Sequence, residues 1–125
     1  MKIIIDSSVW LEYFVGGKKA GVITKYFKHP YKIFLPSIVL YEVYKKIKNE
    51  RGEQTAVLII AQMERMTEDV IVFDGSMATQ AADISLKHKI PMADAIIYSS
   101  AIFSDATVIT MDTHFKGLEQ VQFIS

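Results

Sequence analysis

Lys2-Ile3-Ile4-Ile5-Asp6-Ser7-Ser8-Val9-Trp10 is the stretch that decides the fold class. Three consecutive isoleucines put an apolar side chain on each side of an extended segment, the pattern of a strand covered on both faces. Asp6 ends the run, and Ser7-Ser8 open a helical pattern that continues through Trp10, Leu11 and Phe14. A buried strand feeding directly into a helix is the first unit of an alternating α/β chain.

The same alternation continues outward from that unit. Gly16-Gly17 stop the first helix, and residues 18–28 read as a second one with Val22, Ile23, Tyr26 and Phe27 on one side. Lys32–Leu35 is strand-like, and Pro36-Ser37 introduce a helix over about 37–50, separated by Gly52 from another over about 53–66. Val70–Phe73 reads as the third strand, with Asp74-Gly75-Ser76 capping a helix that runs to Lys87. A helix carrying Asp94 extends to about Phe103, followed by a strand over Ala106–Thr110, a helical turn over Asp112–Gly117 and a last strand over Val121–Ile124. The expectation is one domain over residues 1–125, an α/β three-layer sandwich whose mostly parallel central sheet of about five strands is flanked by helices.

Composition narrows the function classes. Half of the 125 residues are hydrophobic, which argues against disorder. No uncharged apolar run approaches the ~18 residues of a membrane span, so no membrane role is expected. An acid at position 6 comes too early for a secretory signal. The absence of cysteine removes disulfides, thiolate metal sites and thiol nucleophiles, and fits a cytoplasmic setting. Fourteen basic residues balance fourteen acidic ones, so any nucleic-acid binding must come from local patches. Three basic groupings stand out, Lys18/Lys19, Lys45/Lys46/Lys48/Arg51 and Lys87/Lys89, each readable as a phosphate contact or as a solvated helix face.

In open parallel sheets, ligands bind beyond the carboxyl ends of the strands, and several acids fall there. Asp6 follows the first strand and Asp112 the fourth. Either can cap the helix or turn that follows, as Asp74 is expected to do. Asp94, in Pro91-Met92-Ala93-Asp94-Ala95-Ile96-Ile97-Tyr98, shares its helix face with Ile97, Tyr98 and Ala101. An ionised carboxylate on that face needs donors or a cation, so it is held either by backbone N–H groups of the first turn or in a site. Glu42 lies nearly opposite the stripe Leu40, Val43, Tyr44 and Ile47, where pairing with Lys45 or Lys46 competes with a place at a cleft. His29, His88 and His114 match no ligand spacing and read as surface positions.

Taken in register, four segments resemble the PIN-domain family, and within it the VapC-type toxin ribonucleases. Ile3-Ile4-Ile5-Asp6-Ser7-Ser8-Val9 is similar to the family's first motif, an acid followed by two small polar residues. Pro36-Ser37-Ile38-Val39-Leu40-Tyr41-Glu42-Val43 resembles the second, and Pro91-Met92-Ala93-Asp94-Ala95-Ile96-Ile97 the third. Thr110-Met111-Asp112-Thr113-His114-Phe115 resembles the last, with His114 where the family often carries another acid. The resemblance implies Mg2+- or Mn2+-dependent cleavage of RNA phosphodiesters, with Asp6 and Asp94 as principal metal ligands and Glu42 and Asp112 as ligands directly or through water. Ser8 and Thr110 would orient carboxylates or water behind them. It also implies a homodimer and a cognate antitoxin, for which Trp10, Tyr13, Phe14, Tyr26 and Phe27 are the expected apolar surface. A PIN ribonuclease acting in RNA processing without an antitoxin, and a non-catalytic PIN-like interaction module, are the alternatives. A phospho-acceptor receiver domain fits poorly, because Asp6-Ser7 and Thr110-Met111-Asp112 replace its paired acids and lysine.

Overall fold

Ile3, Ile4 and Ile5 are fully buried, and the strand they form is the middle of the sheet. The computed structural model describes residues 1–125. In chain order its elements are β1 (Lys2–Ile5), α1 (Ser7–Val15), α2 (Ala20–Ile23), a 3-10 turn (Thr24–Phe27), β2 (Lys32–Pro36), α3 (Ser37–Arg51) and α4 (Glu53–Met66). There follow β3 (Asp69–Ile71), α5 (Gly75–His88), α6 (Met92–Ser104), β4 (Thr107–Thr110), a second 3-10 turn (Thr113–Phe115) and β5 (Val121–Phe123). The five strands pair in the order β3-β2-β1-β4-β5, every pair parallel. Helices cover the sheet, which is what allows β1 to be apolar without alternation. The expected α/β sandwich with a parallel sheet is the fold observed.

The topology positions the site. From β1 the chain winds outward through β2 to β3, then returns to lay β4 on the other side of β1 and β5 beyond it. The switch point is therefore the crevice between β1 and β4, at their carboxyl ends. Their register pairs Ile5 with Ile109, so Asp6 and Thr110 leave the two strands side by side. The Asp6 N–H donates to the Ile109 carbonyl at 2.9 Å and holds that junction closed.

Two elements differ from the sequence reading. The expected helix over 18–28 is broken into α2 and a 3-10 turn, with the Thr24 hydroxyl donating to the Gly21 carbonyl at 2.7 Å. Local side-chain bonding of this kind competes with a regular helical ladder. The third strand is Asp69–Ile71 rather than Val70–Phe73, because β2 ends at Pro36, the partner of Ile71, where α3 begins. Val72 has no strand to pair with and is exposed with Phe73. At this edge the Val70 N–H is taken up by the Asp69 carboxylate at 2.8 Å.

The aromatic group expected at a partner surface needs correction. Trp10 and Tyr26 are buried in the main core, and Tyr13, Phe14 and Phe27 pack partly buried against it. Trp10 stacks between Phe14 and Phe27, with ring centroids 5.8 and 5.6 Å away. Aromatic residues on successive turns of α1 meet those of the 3-10 turn, so area burial goes to the fold rather than to a partner. The indole N–H of Trp10 has no hydrogen-bond partner. Trp10→Ala should therefore lower unfolding free energy by about 3–5 kcal/mol in urea melts followed by circular dichroism. Trp10→Phe, which removes the unpaired donor and keeps an aromatic ring, should lower it by less than about 1.5 kcal/mol.

Candidate active site

Asp6 is 2% exposed, a carboxylate at the end of a buried strand. It occupies the residue before α1, yet its side chain makes no capping bond to the helix. Its Oδ2 instead accepts hydrogen bonds from the Ser8 hydroxyl at 2.7 Å and the Thr110 hydroxyl at 2.9 Å. Ser8 also accepts from the Met111 N–H at 3.2 Å, and Thr110 from the Asp112 N–H at 2.9 Å. Two hydroxyls thus tie the ends of β1 and β4 together through one carboxylate, each aligned by a backbone donor of its own.

Glu42 reaches the same place from the second turn of α3. It is half-buried, and its Oε1 accepts from the Ser7 hydroxyl at 3.0 Å. The expected pairing with Lys45 or Lys46 does not occur: Lys46 bonds Glu50 at 3.0 Å, and Lys45 meets no carboxylate. Ser7 lies 3.5 Å from Asp6 Oδ1 as well, so this one side chain bridges two acids.

Asp94 and Asp112 complete the cluster. Asp94 is 7% exposed and makes no capping bond at the start of α6, where Pro91 is the capping residue. Asp112 does cap the second 3-10 turn, accepting from the His114 N–H at 2.9 Å. That bond curls the turn so that His114 Nδ1 lies 3.0 Å from both Asp94 Oδ2 and Asp112 Oδ1. Ligand atoms of Asp94, Asp112 and His114 all fall within 4.8 Å of one another. Asp74, by contrast, only caps α5 through the Met77 N–H, as its sequence context indicated.

The electrostatics follow from this crowding. Burial holds the Asp94 carboxyl far above its ordinary range, to about 7, with the negative charges of Asp112 and Asp6 adding to the effect and His114 opposing it. Burial likewise raises Asp6, against the hydroxyls of Ser8 and Thr110, and raises Glu42, against that of Ser7. Carboxylates that repel in this way are what a divalent cation neutralises. The donors are oxygens with one imidazole and no thiolate, a set suited to hard cations such as Mg2+ or Mn2+. Asp6, Glu42, Asp94 and Asp112 all converge here, with Ser8 and Thr110 directly behind Asp6. Sequence reasoning missed two neighbours. Ser7 was visible only as part of a small polar pair, and His114, exposed as expected and standing where the family often carries another acid, enters the cluster because Asp112 turns the chain there.

The PIN domain sequence profile matches residues 3–120. The chain belongs to the PIN domain family. Its fold has the same architecture as several solved toxins and toxin–antitoxin complexes. A toxin–antitoxin complex from Klebsiella pneumoniae aligns with TM-score 0.77 and 21% identity over 96% of this chain and 95% of that one. The Mycobacterium tuberculosis VapC toxin described as cleaving the sarcin-ricin loop aligns with TM-score 0.78 and 18% identity over 98% and 96%. The VapBC complex of Rickettsia felis bound to promoter DNA aligns with TM-score 0.76 and 17% identity over 99% and 98%. No curated protein sequence matches the chain. No helix of this PIN domain is long and apolar enough to cross a membrane.

The raised Asp94 makes the PIN fold pH-sensitive. An unfolded aspartate releases its proton near 3.8, whereas folded Asp94 keeps it to about 7. Between those values the folded chain binds more protons, so stability falls as pH rises through the window. In chelator, the melting temperature should be lower at pH 8 than at pH 5.5. Asp94→Asn should reduce that difference, with Asp6 and Glu42 still contributing in the same direction, and stabilise the pH 8 protein by about 1–2 kcal/mol, solvent screening from the cleft limiting the gain. A wild-type melting temperature that rises from pH 5.5 to pH 8, or does not change, would contradict this account.

Proposed function

We propose that this chain is a Mg2+- or Mn2+-dependent endoribonuclease, the toxin of a toxin–antitoxin pair, built as a single PIN-like domain over residues 1–125. The observation that carries the reading is the meeting of Asp6, Glu42, Asp94 and Asp112 at the switch point of a parallel sheet, three of them with raised proton affinity. Asp6 and Asp94 are the principal metal ligands in this reading, with Asp112 and Glu42 completing the set directly or through water. A divalent cation held there would supply an acidified water and stabilise charge on the phosphate oxygens.

The chain's own groups do the rest. Ser8 and Thr110 fix the Asp6 carboxylate, and Ser7 holds Glu42 toward the cleft. Glu42 takes the proton of the attacking water, a task its raised affinity suits. As water bonds to phosphorus, the bond to the leaving ribose oxygen breaks. His114 lies at the exposed rim, within reach of two of the acids, and in this reading it would protonate that oxygen.

Antitoxin and homodimer contacts would use exposed apolar surface. Val57 and Leu58 stand out on α4. Phe73, Leu86 and Met92 rim an apolar cavity of about 480 Å3 between α5 and α6. Structural relatives being toxin–antitoxin complexes supports the antitoxin part of the reading.

Structured RNAs incubated with the purified chain test the reading. Wild type should cleave with Mg2+ or Mn2+ and not with chelator, Asp94→Asn should be inactive, and Glu42→Gln should lose about 100-fold or more in kcat. Equal cleavage by wild type and Asp94→Asn would indicate a contaminating nuclease and remove Asp94 from the site.

A further inference from the structure

A cluster of carboxylates repels the polyanion it is meant to cut, and this chain has no net charge to offset that. Cations beside the cluster must attract the substrate, and one groove supplies them. A cavity of about 370 Å3 on the outer face of α3 is lined by Tyr41, Glu42, Lys45, Lys46 and Asn49. It shares Glu42 with the site and runs along the helix from Glu42 to Asn49, about 10 Å at the α-helical rise.

Two of its residues are free in a way their neighbours are not. Tyr41 is 57% exposed, a large aromatic that the core does not use. Lys46 and Lys48 are paired with Glu50 and Glu53. The Lys45 ammonium meets only the Tyr41 side chain, 5.6 Å from its ring centroid and 3.5 Å from its hydroxyl. An exposed aromatic face next to an unpaired cation is the recognition unit of single-stranded nucleic acid, in which a base stacks and a phosphate is neutralised.

We propose that the single-stranded RNA flanking the scissile phosphate lies along this face of α3, one base stacked on Tyr41 and one phosphate at Lys45. The proposal rests on the ribonuclease reading and adds the path of the strand. A duplex would hide its base faces from Tyr41, so the substrate at this position is a loop or an unpaired end. Asn49, at the far end of the groove, offers an amide to a base edge or sugar.

The test measures binding separately from cleavage. In an Asp94→Asn background, affinity for a fluorescein-labelled unpaired RNA of mixed sequence is read by anisotropy over a salt series. Tyr41→Ala should weaken binding about ten-fold, and Tyr41→Phe should stay within about two-fold. Lys45→Gln should flatten the plot of log affinity against log salt by about 0.7. Lys25→Gln, beside Met1 and Thr107 at the opposite end of the strands, should change nothing. In the otherwise wild-type chain, Tyr41→Ala should raise KM with kcat retained. RNA bound equally well by the Tyr41 and Lys45 variants overturns the proposal and leaves the ribonuclease reading standing. If those variants instead lose only binding of a protein inhibitor, the face belongs to a protein partner and the proposal is likewise overturned. A background chain that binds no RNA, together with a wild type that cleaves none, removes both readings.

Discussion

The parallel pairing of β1 with β4 is the constraint on which the rest depends. It sets Asp6 beside Thr110, and a carboxylate buried at that junction is tolerable only because hydroxyls from the start of α1 and the end of β4 bond to it. The same pairing fixes where α1 and the second 3-10 turn begin, and so where Ser7, Asp112 and His114 stand. Glu42 and Asp94 arrive on α3 and α6 from elsewhere in the chain. The site is thus built on the rigid ends of strands and the first two turns of helices, and its precision is that of the sheet.

Fold and site were legible in the sequence to different degrees. The isoleucine triplet was decisive because a covered parallel strand is the one setting in which such a run needs no polar alternation. β3 was placed too late because its end is set by Pro36 on the neighbouring strand, a tertiary limit that its own residues do not encode. Tyr13, Phe14, Tyr26 and Phe27 read from spacing as core or interface, and only the resemblance offered them with Trp10 as partner surface; helical spacing cannot distinguish an aromatic face turned inward from one turned outward. Asp94 could be singled out by its apolar neighbours. Glu42 could not, since the Ser7 hydroxyl that holds it lies in a different element. His114 was obscured by the same limit: its approach to Asp94 depends on a turn of the chain that only the folded protein makes.

The site works against the fold that carries it. Buried and mutually repelling acids weaken the folded state at neutral pH: burial raises the proton affinity of Asp6 and Glu42, and holds Asp94 at about 7. The opposition is confined to one corner. Elsewhere the core is a continuous apolar cluster, and the α3 lysines beyond Lys45 are balanced locally by Glu50 and Glu53.

The brevity of the outer strands bears on how copies of this chain meet one another. β3 and β5 are three residues each, and at β3 the Val70 amide is already engaged by its own neighbour Asp69. A sheet with such edges offers almost no template for an added strand, so edge-to-edge aggregation is discouraged from the start. Assembly is left to the helical faces, where side chains rather than backbone select the partner.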